Sequence, residues 1–338
     1  LNFGVEKMSI DEFIKKSQDG GSFNKDELLE MLGYPPDSSA TYRMMAEARR
    51  ISRELTDDKA EIHAQFSLNL EPCSCNCLFC SFAQTNEIFK RKSRITPEEA
   101  IASARQLEEE GANAIFIMTT AQYPFGKFIE ISQEVKKHLR PETTLIANIP
   151  DQSLSNAMKM KDAGFDGVYH ALRLREGTDT SIAPERREDS IRNFQEAGLK
   201  VGTCVEPVGP EHSNEEIAEL ILYTASLNPA YSGAARRISI PGTKLARQGM
   251  ISELRMAQIV AVTRLAMPRT VLGNCTHEPC TLGAAAGANL FWAEIGANPR
   301  DTAKKTEKGR GHTVAQCRTL FHESGCGVLE GPSRFYAI

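Results

Sequence analysis

No apolar run in this chain approaches the ~20 residues that a membrane-spanning helix requires. No block of like charges interrupts it, and 40 Lys and Arg against 44 Asp and Glu leave a net charge of only −4. A nucleic-acid partner and a membrane partner are therefore not expected. Residues 1–10 lack the charged-then-apolar pattern of a secretory leader, so the expected location is cytoplasmic. Apolar residues at 41% and charged residues at 25% are ordinary for a soluble globular protein, and 338 residues suit one large α/β domain or two ordinary ones.

Cysteine is what the chain has in surplus. Nine are present, at 73, 75, 77, 80, 204, 275, 280, 317 and 326. The odd number and uneven spacing favour metal or redox chemistry over a disulfide framework. Four fall within Cys73-Ser-Cys75-Asn-Cys77-Leu-Phe-Cys80, and Cys73, Cys77 and Cys80 read C-x3-C-x2-C. Thiolates this close can hold zinc or three corners of an iron–sulfur cluster. Zinc usually takes paired knuckles, and the next compact pair, Cys275 and Cys280, is distant in the chain.

Residues 1–60 read as three helices, with Asn24 capping the second, and are expected to form an N-terminal cap. From residue 61 strands and helices alternate. Strands are expected at 62–70, 114–118, 143–148, 167–172, 200–205, 235–240, 270–274 and 289–292. Thr96-Pro-Glu-Glu opens a helix with a cap, a first-turn proline and acids. A final helix is expected at 312–323. Eight strands alternating with helices point to an α/β fold, a complete (β/α)8 barrel over 61–300. Residues 301–338 would then be a C-terminal helix and tail packing on it, with no second domain. Reactive residues of such barrels lie at the C-terminal ends of strands, where the cysteine stretch falls.

C-x3-C-x2-C at the end of a first barrel strand, with the aromatic Phe79 before its last cysteine, resembles the radical S-adenosylmethionine superfamily. Further stretches resemble its biotin synthase group, which includes methylornithine synthase and the iron–iron hydrogenase maturase. These are 175–180, 187–191 before 197–201, Ile240-Pro-Gly-Thr-Lys-Leu, and 286–289. The resemblance implies that Cys73, Cys77 and Cys80 hold a 4Fe–4S cluster whose open iron binds S-adenosylmethionine. Cys75, off that register, stays free. One-electron cleavage would give a 5′-deoxyadenosyl radical that abstracts hydrogen from a small-molecule substrate. Flavodoxin or ferredoxin would supply the electron. By motif position Phe79, Glu176, Arg187 and Val208 would contact S-adenosylmethionine. Thr119 and Thr120 stand where relatives carry a Gly-Gly-Glu-like motif, and 118–124 contains no acid.

Polar groups at strand ends, Asn148, His170, Arg173, Glu206, Arg237, Asn274 and His277, are the substrate candidates. Arginines with a glutamate suit a carboxylated or zwitterionic molecule. A biotin-synthase-type auxiliary cluster finds only a rough counterpart in Cys204, because the second and third strands carry no cysteine. An auxiliary cluster from Cys275, Cys280, Cys317 and Cys326 is the remaining arrangement. It would favour a sulfur-inserting enzyme of the lipoyl or biotin kind over one that rearranges, cleaves or builds a small molecule. A zinc-stabilised or electron-transfer barrel without catalysis is the third reading. The basic stretch 304–312 is expected to be a solvated loop.

Overall fold

The computed structural model describes residues 8–300, 302, 304–308 and 310–337; the opening residues 1–7 lie outside it. Three helices come first, α1 (Ile10–Gln18), α2 (Lys25–Gly33) and α3 (Ser39–Leu55). Ser9 and Asn24 cap the first two, each with a glutamate three residues on returning the bond to the cap amide. The chain then runs β1 (Lys59–Ser67), the short hairpin partners β2 (Asn69–Leu70) and β3 (Ser93–Arg94), α4 (Pro97–Glu109), β4 (Ala114–Met118), α5 (Phe125–His138), β5 (Thr144–Asn148), α6 (Leu154–Asp162) and β6 (Gly167–Tyr169). It continues with α7 (Pro184–Glu196), β7 (Lys200–Gly202), β8 (Val205–Val208), α8 (Asn214–Ser226), β9 (Tyr231–Arg236), α9 (Glu253–Ala266), β10 (Gly273–Cys275), α10 (Thr281–Ala285), β11 (Leu290–Ile295), α11 (Val314–Glu323) and β12 (Gly327–Val328).

Nine of these strands form one curled, wholly parallel sheet in the order β7-β6-β5-β4-β1-β11-β10-β9-β8. The expected eight become nine because the fifth is broken at Thr203–Cys204 into β7 and β8. β8 contains Pro207, which has no amide to donate, and its pairing with β9 is irregular between Val205 and Val208. Backbone bonds Ala230 N to Val201 O (2.8 Å) and Thr203 N to Tyr231 O (3.1 Å) join β7, one end of the path, to the start of β9. The sixth and seventh strands lie earlier and later than expected, at Tyr231–Arg236 and Gly273–Cys275.

Side chains alternate along the strands and so build two cores. Ile62, Ala64 and Phe66 of β1, with Ile115 and Ile117 of β4, face outward into a layer shared with Phe13, Met31 and Met44 of the N-terminal helices. Ala114, Phe116 and Ile146 face inward, with Tyr169, Tyr231 and Trp292. Phe335 and Tyr336 of the tail join this inner group. The tail reaches it from the N-terminal ends of the strands. β12 pairs with Lys59–Ala60, Leu329 N donates to Ala60 O, and Asn113 Nδ2 donates to Leu329 O (2.9 Å) and Gly331 O (2.8 Å). Glu61 accepts from Ser333 Oγ and from Arg334 N (2.7 Å). Gly167 is required here, since a Cβ would lie 2.5 Å from the Tyr336 ring.

The tail is thus the floor of the interior. Tyr336→Ala should destabilise the protein by about 3–5 kcal/mol, as large aromatic truncations in cores do. Asn113→Ala should cost about 1–3 kcal/mol through the bonds it orphans. Trp292, the one tryptophan in the sequence, sits in the same inner group and reports on it by fluorescence in a denaturant titration. Unchanged midpoints would show that the tail merely decorates the sheet.

Candidate functional site

The cysteine loop leaves β2 at the C-terminal end of the sheet and is tied down on all sides. Cys73 N donates to Phe82 O (2.7 Å), Leu78 N to Asp179 O (2.8 Å), Ser81 N to Pro299 O (2.9 Å) and Leu245 N to Leu78 O (3.3 Å). Asn86 Nδ2 donates to Cys80 O (2.8 Å). Asn76 takes a left-handed conformation, φ 47°, which asparagine tolerates better than most residues. The turn brings Cys77 and Cys80 to one cavity, while Cys75 lines another, with Ser74 and Thr119.

Cys73, Cys77 and Cys80 are not gathered as tightly as the ligands of a single ion. Their sulfurs do not converge within 4.8 Å of one another, as two other groups among the described residues do. A tetrahedral zinc would hold its sulfurs only about 3.8 Å apart, from Zn–S bonds of about 2.3 Å. Phe82 N points at Cys80 Sγ (3.3 Å), the kind of amide donor that steadies cluster sulfur. Burial pushes the Cys77 thiol up to about 11 and Cys80 higher still, whereas the hydrogen bond from Cys75 draws Cys73 down to about 6. A metal or cluster bound at Cys77 and Cys80 would therefore displace their protons.

The cavity beside Cys77 and Cys80 has a volume of about 160 Å³. Phe79, expected near S-adenosylmethionine, and the substrate candidates Asn148, Arg173, Glu206, Arg237 and His277 border it. Gln65, Arg236, Trp292, Glu294 and Arg300 border it too and were not foreseen. Gln65 was legible as an inward polar residue amid the apolar positions of β1; Arg300, in a loop beyond the last strand, carried no signal. The guanidiniums are countered in pairs. Arg173 lies 3.6 Å from Glu206 and 4.0 Å from Glu176, Arg237 pairs with Glu211, and Arg300 with Glu294 (2.5 Å). Burial opposes the Arg173 charge, but Glu206 and Glu176 outweigh it and raise its pKa.

Other expected residues lie elsewhere. Glu176 and Arg187 border neither of these cavities and are paired with each other at 3.4 Å. Glu176 also accepts from Thr180 Oγ1 (2.6 Å) and Arg173 N (3.1 Å). Arg187 also meets Asp151 (2.8 Å), which faces the Cys75 cavity of about 290 Å³. His170 is buried against Asp151 (3.0 Å), Arg187 (3.0 Å) and the Phe194 ring, not in the substrate cavity. Burial, then the Arg187 charge, lowers its pKa to about 4, so it is a neutral imidazole at neutral pH. Thr120 is engaged by Asn69 (2.7 Å) and Val208 is fully buried. Asn274 is also buried, bonded to Gly287 O (3.0 Å) outside the cavity.

The four cysteines expected for an auxiliary cluster are not brought together. Cys275 is inside the sheet, Cys280 caps α10 through Gly283 N (3.3 Å), and Cys317 packs in the outer layer near Trp292 O (3.4 Å). Cys326 lies beside Arg49 and Lys59 at the opposite end. Cys275 instead meets Cys204, with Sγ atoms 3.5 Å apart and His277 close by. Burial opposes ionisation of Cys275, but the hydrogen bond with Cys204, and then the nearby His277, bring it to about 6; Cys204 is pushed up by burial.

Comparison with known proteins agrees with this geometry. The Radical SAM superfamily pattern matches residues 72–223. Biotin synthase of Prochlorococcus marinus subsp. pastoris is 26% identical over 292 residues, 80% of this chain and 84% of its own. That of Desulforudis audaxviator is 27% identical over 310 residues, 86% and 92%. Among solved structures, methylornithine synthase superposes with a TM-score of 0.80 at 16% identity, covering 96% of this chain and 98% of its own. The FeFe-hydrogenase maturase HydG from Carboxydothermus hydrogenoformans gives 0.76 at 18%, covering 94% and 78%. Both show the same fold. The cysteine loop, the Radical SAM match over 72–223 and these relatives together support a radical S-adenosylmethionine enzyme similar to the biotin synthase group, for which a 4Fe–4S cluster and S-adenosylmethionine are implied.

Proposed function

We propose that this enzyme abstracts hydrogen from a small carboxylated or zwitterionic molecule held between the cysteine loop and the aromatic floor. The observation that carries the reading is the cavity itself. Cys77, Phe79 and Cys80 form one wall, and Arg173, Arg236, Arg237 and Arg300, interleaved with Glu206 and Glu294, form the others. When bound, the cluster and S-adenosylmethionine supply a 5′-deoxyadenosyl radical after one-electron reduction. The chain's own residues do the rest. Cys73, Cys77 and Cys80 hold the iron. Phe79 and Thr119 border the two cavities flanking the loop, where S-adenosylmethionine would lie.

Arg187 and Glu176 would act on that ligand from behind, by fixing Asp151 and Arg173. An arginine fork grips a substrate carboxylate, while Glu206 and Glu294 accept from its ammonium. Trp292 and the tail exclude water from below. The backbone bonds from β7 and Thr203 to the start of β9 support reading the curl as a closed barrel over 61–300, capped by 1–60 and floored by 301–338. The electron would come from a flavodoxin or ferredoxin at the open end.

Iron-loaded protein, reduced without oxygen, should convert S-adenosylmethionine to methionine and 5′-deoxyadenosine; no conversion would overturn the reading. Cys77→Ala should lose most of the roughly four irons per chain of a 4Fe–4S cluster. A full complement of iron in that variant would remove Cys77 from the ligand set. Arg173→Lys should keep the iron but slow 5′-deoxyadenosine formation with substrate by at least about tenfold, roughly 1.4 kcal/mol of barrier, because the ammonium cannot make the fork. A rate equal to that of the unaltered enzyme would place substrate recognition elsewhere.

A further inference from the structure

Beneath the reaction cavity, three potential metal ligands from separate parts of the chain converge. Cys204 stands at the break between β7 and β8, Cys275 ends β10, and His277 follows two residues on. The two sulfurs are 3.5 Å apart, and a ring nitrogen of His277 lies within 4.8 Å of both. Two sulfurs on one tetrahedral zinc are about 3.8 Å apart, so the pair is already close to a coordination edge. At 3.5 Å the sulfurs are not bonded, and both cysteines are free. Gly233 of β9 permits the approach. It has φ 125°, and a Cβ there would stand 2.1 Å from Cys275 O.

The histidine is the second, independent sign. Its Nδ1 lies 3.4 Å from a Glu206 carboxylate oxygen, while its Nε2 is buried without a hydrogen-bond partner. A carboxylate behind one ring nitrogen and nothing on the other is the arrangement that orients metal-binding histidines. The Tyr169 and Trp292 rings hold the imidazole on two sides, at 5.3 and 5.0 Å. The other convergent group, Asp179–Glu211–His212, has no such freedom, because Glu211 is taken by Arg237.

We propose that Cys204, Cys275 and His277 bind one thiophilic divalent cation, zinc or ferrous iron, under the reaction cavity. Three protein ligands leave a fourth position, as in catalytic rather than structural zinc sites. His277 borders the cavity, so that position is available to a carboxylate, amine or thiol of the substrate. The cation would thus anchor the substrate from below. Its binding does not depend on the function proposed above, because metal content is read without S-adenosylmethionine or turnover.

The test is metal and sulfide analysis of the iron-loaded enzyme, prepared without oxygen and equilibrated with zinc. About one zinc per chain should be retained beyond the cluster, with no added acid-labile sulfide. Its X-ray absorption should show two sulfurs at about 2.3 Å and nitrogen or oxygen at about 2.0–2.1 Å. Cys204→Ser and Cys275→Ser should lose the zinc and keep the cluster iron. Cys77→Ala should do the reverse. Glu206→Gln should bind zinc about 10–100-fold more weakly, and it preserves both thiols should the serine variants fail to fold. Three results would overturn the proposal: no zinc above background, zinc that survives loss of both cysteines, or extra iron accompanied by sulfide, which would mean a second cluster instead.

Discussion

Burying a guanidinium or carboxylate costs several kcal/mol unless its partner is placed for it. The open end of this sheet buries many of them. Arg173, Arg187, Arg237 and Arg300 are each set against an acid: Glu206 and Glu176, Asp151, Glu211, and Glu294. The pairings of Arg173 with Glu206, Arg187 with Asp151 and Arg237 with Glu211 reach between segments, so the loops above the strands behave as one lattice. The cysteine loop hangs from the same lattice through Asp179 and Pro299. Reactive groups on loops are thereby held with the rigidity usually reserved for strands. The same low-dielectric setting strengthens every polar contact a bound ligand makes.

Beneath that lattice the structure sorts itself by alternation. Outward residues of the strands meet helices, and inward residues make an aromatic interior that the tail completes. The interior is not inert, since Cys204, Cys275 and His277 sit where the aromatic floor meets the charged mouth. A group bound there would touch both.

Much of this was legible in the sequence. The cysteine spacing, the capped helices and the alternation of strand and helix all carry local signals, and the structure has them close to where they were read. The errors have physical causes. β9 carries Ser232-Gly233-Ala234-Ala235, residues with weak strand preference, whereas the β-branched stretch after Arg236 is a loop held by the lattice. The fifth strand is interrupted at Thr203–Cys204, and Pro207, which cannot donate within a ladder, sits where its second half pairs irregularly with β9. Asp151 meets Arg187 and His170 from a different loop, so its role could not be assigned from spacing, and Glu294 and Arg300 are neighbours in the chain but carry no motif. The meeting of Cys204 and Cys275, 71 residues apart, is likewise a tertiary event. Expecting Cys280, Cys317 and Cys326 to join Cys275 weighed abundance in the chain over position in the fold.

The tail has a temporal side. The cysteine loop leaves the ribosome early, but Phe335 and Tyr336 follow roughly 250 residues later, about 10–50 s at synthesis rates of about 5–20 residues per second. Throughout that interval the inner faces of β1 and β4 lack their floor. The tail, made long after the cysteine loop, therefore closes the compartment in which the radical would be generated, and a nascent chain cannot shelter that chemistry until the tail has emerged.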